Sequence, residues 1–196
     1  MDTIQLSQDK RYTYADYLTW LDDKRRELIN GFVHLMTPAP DRKHQQISIH
    51  LSTELNLFLR NNEACQVYSA PFDVRLPKKN KANDDDKIYT VVQPDICIIC
   101  DLSKLDDRGC IGAPDLIVEI LSPSTSKKDL VDKFKVYEEA GVKEYWTVNP
   151  NDENINVFVL DKKGKYQLSG MYAGDMKIIV SIFDGLEINL EHIFKQ

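Results

Sequence analysis

The run Gly112-Ala113-Pro114-Asp115-Leu116-Ile117-Val118-Glu119-Ile120-Leu121 holds one acid, Glu119, inside an otherwise apolar segment. Near-continuous apolar runs of this length suit a central strand covered on both faces. Upstream, Val91 to Cys100 reads the same way, with Ile96, Ile98 and Ile99, and opens with Asp95 directly after Pro94. Downstream, Ser126 or Asp129 starts a helix through Ala140, and Gly141 is placed to end it as a C′ glycine. Glu144 to Val148 is then the next strand, stopped by Asn149-Pro150.

Further out, the signals thin. Thr13 reads as the N-cap of a helix through Asp23, with Asp16 at the capping-box position. Asn30-Gly31 between Arg26–Ile29 and Phe32–Met36 predicts a tight hairpin with Glu27 on its first strand. A helix is predicted from His44 to Arg60, with Ile47, Leu51, Leu55 and Phe58 on one face. Cys65 to Leu76 reads as a strand interrupted near Pro71, and Pro77 to Lys87 as a polar loop. Ile155–Leu160 and Lys165–Leu168 form a second hairpin, and short strand-like pieces follow Met176. The result is an α/β (α+β) fold with a mixed central sheet, flanking helices and extra hairpins at both ends.

The 196 residues show no break in composition and are read as a single domain, 1–196. No apolar run approaches the roughly 20 residues that span a bilayer. The polar N-terminus and four cysteines without framework spacing, read as free thiols, predict a cytoplasmic protein. Cys97 and Cys100 have C-x-x-C spacing, but residues three apart on a strand face opposite sides, which argues against zinc. The net charge of −6 argues against binding of nucleic acid by bulk electrostatics, though not against a nuclease, whose site must be acidic. Local basic clusters remain, Lys78-Lys79 with Lys81, and Lys127-Lys128 with Lys133 and Lys135.

The chemistry turns on acid inside apolar strands. Burying an unpaired carboxylate costs several kcal/mol, so Asp95 and Glu119 each need a cation, a hydrogen-bond partner or a raised pKa. On neighbouring strands both can be aimed at one point. With a backbone carbonyl, that of Ile120, and water they make an oxygen-rich site for Mg²⁺ or Mn²⁺. Such an ion polarises a phosphodiester oxygen and activates water. The competing reading pairs Glu119 with a buried Arg or Lys.

The ordered set Glu27-Leu28-Ile29-Asn30-Gly31, His44, Ala70-Pro71-Phe72-Asp73-Val74, Val92-Gln93-Pro94-Asp95-Ile96, Gly112 through Thr125, then Asp129, Lys133, Tyr137 and Gly141 through Trp146 resembles the Uma-type restriction-endonuclease family. That family is a branch of the PD-(D/E)XK nuclease superfamily. The resemblance implies an αβββαβ nuclease core, metal-dependent hydrolysis of DNA, and Asp95 and Glu119 at the acidic motif positions. Glu27, His44 and Asp73 match other polar positions of the pattern. The motif lysine, expected two residues after Glu119, is replaced by Leu121. Lys133 is the candidate substitute, because Asp129, Lys133 and Tyr137 share one helix face and the helix returns over the sheet. A surface pair with Asp129 is the alternative. A homodimer follows if both strands of a duplex are cut. A nuclease acting on RNA and a non-catalytic binding or interaction module on the same fold stay open as further readings.

Overall fold

The computed structural model describes residues 4–36, 41–60, 64–78, 83–122 and 129–195, with the side chains of Asp129 and Leu130 outside that description. Pro38, Pro40, Lys79, Lys81, Pro123 to Lys128 and the Asp129 side chain therefore lie outside the described residues. Along the chain, a short helix α1 (Tyr14–Tyr17) precedes the hairpin of β1 (Arg26–Ile29) and β2 (Phe32–Leu35). Helix α2 (Arg42–Leu59) leads to β3 (Gln66–Ser69) and β4 (Asp73–Arg75). Next come β5 (Val91–Val92), β6 (Ile96–Ile99), the hairpin β7 (Leu105–Asp106) and β8 (Gly109–Ile111), and β9 (Leu116–Ile120). A π-helical turn, Asp129–Lys133, runs into α3 (Phe134–Ala140) and then β10 (Glu144–Asn149). The hairpin β11 (Asn154–Leu160) and β12 (Tyr166–Ala173), the pair β13 (Lys177–Ile179) and β14 (Glu187–Asn189), and α4 (Leu190–Phe194) complete the order.

The strands form two six-stranded sheets, in the orders β2-β1-β5-β4-β8-β7 and β12-β11-β10-β9-β6-β3, with β13-β14 apart. In the second sheet β9 and β10 are parallel, while β6 and β9 are antiparallel, so the sheet is mixed. Alternation along its strands serves two cores. Ile96, Ile98, Val118, Ile120, Trp146 and Val148 pack under Ile47, Leu51 and Leu55 of α2. Cys97, Ile99, Ile117 and Tyr145 pack on the other face, against Val136 and Tyr137 of α3 and Val74 and Val92 of the first sheet. Both faces of the strands are buried, which explains their apolar runs.

Local chemistry fixes the entry points. Asp41 caps α2 by accepting the His44 N–H at 2.8 Å. Asn30 and Gly31 both have positive φ, 53° and 90°, as the mirror-image hairpin turn requires. The Thr13 and Asp16 capping box is formed, but α1 stops at Tyr17 rather than Asp23. Trp20 instead turns back onto Tyr12 and Tyr17, and Asp22 pairs with Arg26.

Three expectations are corrected. The strand expected from Val91 to Cys100 is two strands in two sheets, because Pro94 has no N–H to continue a ladder. The Cys65 to Leu76 strand divides likewise into β3 and β4, around the Ala70–Pro71 peptide, which is cis. The cysteines are not all free thiols: Cys65 and Cys100 form a disulfide, and Cys97 and Cys110 are free and buried. Gln66 pairs with Ile99, so the next residues outward face each other directly across the strands. A separation of 35 residues hides this in sequence. The β7 and β8 hairpin had not been expected; Asp107-Arg108-Gly109 is its turn chemistry. Among the described residues, no helix is long and apolar enough to cross a membrane.

Candidate active site at the seam of two sheets

The parity of β9 that buries Ile117 under α3 also turns Glu119 toward the first sheet, where β1 carries Glu27. Both glutamates are buried, at 3% and 1% exposure. The Lys133 ammonium lies between them, 2.9 Å from Glu119 Oε1 and 2.9 Å from Glu27 Oε1. Lys133 is itself only 3% exposed. The Tyr137 hydroxyl donates to the same Glu119 oxygen at 2.6 Å. Lys133 and Tyr137 are one turn apart on the helical segment after β9, so a single segment delivers both donors. Burial, together with the Glu119 and Glu27 charges, pushes the Tyr137 hydroxyl well above its ordinary pKa, so it stays a donor.

Asp95 occupies the neighbouring corner. Ile96 pairs with Val118, so Asp95, the residue before β6, lies beside the end of β9 that carries Glu119. Asp95 Oδ2 accepts the Ile120 N–H at 2.7 Å and lies 3.3 Å from His44 Nε2. Its side chain keeps 21% exposure, against 4% for Glu119. Burial lowers the His44 pKa, but Asp95, Asp41 and the Ile120 backbone outweigh it and leave the imidazole raised. His44 Nδ1 is buried without a hydrogen-bond partner among the described residues.

Asp95, Ile120 and Glu119 are thus contiguous, with His44 behind Asp95 and the Lys133–Glu27 pair behind Glu119. Asp73 stands further off, joined through Gln93, whose Nε2 donates to Asp73 Oδ1 at 2.8 Å and whose backbone N–H donates to Glu27 Oε1 at 3.0 Å. Burial raises the Asp73 pKa against the lowering effect of Gln93 and Arg75. Gln93 and the Tyr137 hydroxyl were missed as site groups. The helix-face spacing of Tyr137 with Lys133 carried the signal for one; nothing local signals the other. His50 serves structure, its Nδ1 lying 3.1 Å from the Ile193 carbonyl.

Among the described residues, no group of three or more His, Cys, Asp and Glu side chains is spaced to hold a metal ion. The donors present are two carboxylates and the Ile120 carbonyl, all hard oxygens, and Asp95 is open to solvent on one side. Hard oxygens of this kind are the ligands that a small divalent ion such as Mg²⁺ takes, with water in its remaining places.

A mixed sheet with the buried Glu119 on β9, Asp95 just before the neighbouring β6 and a lysine beside Glu119 matches a nuclease-like fold. A solved structure from Anabaena variabilis, described as "a putative nuclease belonging to DUF820", superposes with a TM-score of 0.72. The match covers 93% of this chain and 97% of that one at 18% identity, so it speaks for the fold alone. The model of the Uma2 family, described as "Putative restriction endonuclease", matches residues 14–191, and the chain belongs to that family. A Synechocystis protein, the uncharacterized slr1290, is 27% identical over 183 residues, covering 92% of this chain and 90% of the relative.

Proposed function

We propose that this chain is a divalent-metal-dependent endonuclease that hydrolyses DNA phosphodiester bonds, acting as a homodimer of single-domain protomers. One observation carries the reading: the Lys133 ammonium sits 2.9 Å from the buried Glu119 carboxylate although Leu121 occupies the usual lysine position. Asp95, Glu119 and the Ile120 carbonyl would hold Mg²⁺ or Mn²⁺. Bound there, the ion supplies a polarised phosphodiester oxygen and a more acidic attacking water.

The remaining work falls to side chains. Lys133 would donate a hydrogen bond to the attacking water or to the phosphate oxygens, on which charge builds as the water oxygen bonds to phosphorus and one P–O ester bond breaks, the water's proton passing to the leaving oxygen. Glu27 holds the other side of the ammonium and keeps it aimed. Tyr137 fixes Glu119 in one rotamer through its hydrogen bond. His44 and the Ile120 N–H fix Asp95. The Lys133 side chain is 4% exposed, so this cluster is strongly coupled and its geometry is set before substrate arrives.

The test is nicking of supercoiled plasmid with Mg²⁺ or Mn²⁺ against an EDTA control. Nicked and linear products that vanish in EDTA support the reading. Intact plasmid with both ions overturns it and leaves the fold a binding module, which the net charge of −6 and Leu121 would then suit. Light scattering tests the dimer against the 22.6 kDa of one chain.

A further inference from the structure

A cleft of about 370 Å³ opens beside the acid cluster, within the size range of small-ligand sites. Tyr68 and Phe72 form one wall, stacked at 4.2 Å between centroids and 16° between planes. Asp73 and Gln93 line it too, as do Asp107 and Arg108 from the β7 and β8 turn. Gly109 lets that turn close over the cleft, because a Cβ there would overlap the Asp73 carbonyl oxygen. Gln93 belongs to both places, since its backbone N–H bonds Glu27. Its side chain is fixed by Arg25 on one side and Asp73 on the other.

The charge selects the ligand. Asp106 is neutralised by Arg75, leaving Asp73 and Asp107 against Arg108, which itself reaches back to Asp85 at 3.4 Å, so a phosphate is disfavoured. The stacked aromatic wall beside the Asp73 carboxylate suits a flat, neutral group that stacks on rings and offers hydrogen-bond donors. An unpaired nucleobase with an exocyclic amino group has that chemistry.

We propose that the cleft beside Tyr68 and Phe72 takes one unstacked nucleobase of the substrate, with its amino group donating to Asp73. This rests on the nuclease reading and adds a base-recognition site to it. A base so held would lie on the Glu27 side of the acid cluster, because Gln93 lines the cleft and its backbone N–H bonds Glu27.

Binding is measured by fluorescence anisotropy in EDTA, so that no cleavage is needed. The probes are short single-stranded dC and dT oligonucleotides and the matching abasic chain. The wild type is expected to bind dC about tenfold more tightly than the abasic chain, the order of one base–aromatic stack, and more tightly than dT. Phe72→Leu should bring the dC-to-abasic ratio close to one. Equal affinity for dC and abasic chains, no binding of either, or a full ratio in folded Phe72→Leu overturns the proposal. Should Phe72→Leu fail to fold, Asp73→Asn decides: loss of the dC-over-dT preference supports the site, and an unchanged preference overturns it. Base-dependent binding without plasmid nicking overturns hydrolysis and keeps the cleft; nicking without base dependence does the reverse.

Discussion

Two buried glutamates sit on adjacent parallel strands, Glu119 near the end of β9 and Glu144 at the start of β10. Exposure does not distinguish them, at 3% and 0%. Their partners do. Glu144 accepts from the Trp146 indole at 2.7 Å and from the Ile182 N–H at 3.2 Å, both fixed neutral donors. Glu119 accepts from an ammonium and a phenol at the end of long side chains. A buried acid satisfied by fixed donors ties the fold together. One satisfied by a buried ammonium that it shares with a second acid is the arrangement expected at a functional site.

Replacement of Lys133 should separate the two most sharply. Lys133→Met leaves two buried carboxylates without their ammonium, which costs about 3–5 kcal/mol of stability, and should lower cleavage about 10²–10³-fold. Thermal melts and plasmid nicking read both. Full activity in a folded variant would put Glu119 in the same class as Glu144. His44→Ala should lower cleavage about tenfold by freeing Asp95, as loss of an orienting partner does. His44→Gln, which still donates, should recover part of that; equal loss in both would argue against orientation.

Glu144→Gln should leave cleavage unchanged and cost about 1–3 kcal/mol of stability, since one donor loses its acceptor. Its pH dependence sharpens the contrast. Burial raises the Glu144 pKa against the pull of Trp146 and the Ile182 N–H. An acid whose folded pKa is raised contributes stability below the unfolded pKa and loses it as pH rises through the folded one. The melting gap between wild type and Glu144→Gln should therefore narrow as pH climbs from about 4 toward neutrality; a widening gap would reverse the assignment. The smallest effect is expected of Lys135→Ala, an exposed residue two positions from Lys133, within about 0.5 kcal/mol and with unaltered cleavage.

Glu119 was legible because an acid within Leu116 to Leu121 breaks an apolar run. Glu144 escaped notice because it opens its strand, where acids are ordinary. The β1 and β2 hairpin was legible in Asn30-Gly31, a local signal. The division of Val91 to Cys100 between two sheets was not, since either half alone reads as a strand and only tertiary pairing separates them. Lys133 was found by helix spacing combined with the gap at Leu121. Its second partner, Glu27, lies 106 positions upstream, and no periodicity connects them. The Cys65–Cys100 bond was hidden for the same reason.

The lysine beside Glu119 also bears on how such proteins are compared. Scored column by column, this chain lacks a motif residue at 121 and would be filed with inactive relatives. Scored by where head groups lie, it has an ammonium 2.9 Å from the acid. A long side chain on a helix can stand in for one on a strand because a head group's position, unlike a Cα's, tolerates several backbone origins. On the nuclease reading, relatives are therefore better compared by atoms in space than by letters in an alignment, and those without a lysine at the position of Leu121 are expected to carry one at the position of Lys133.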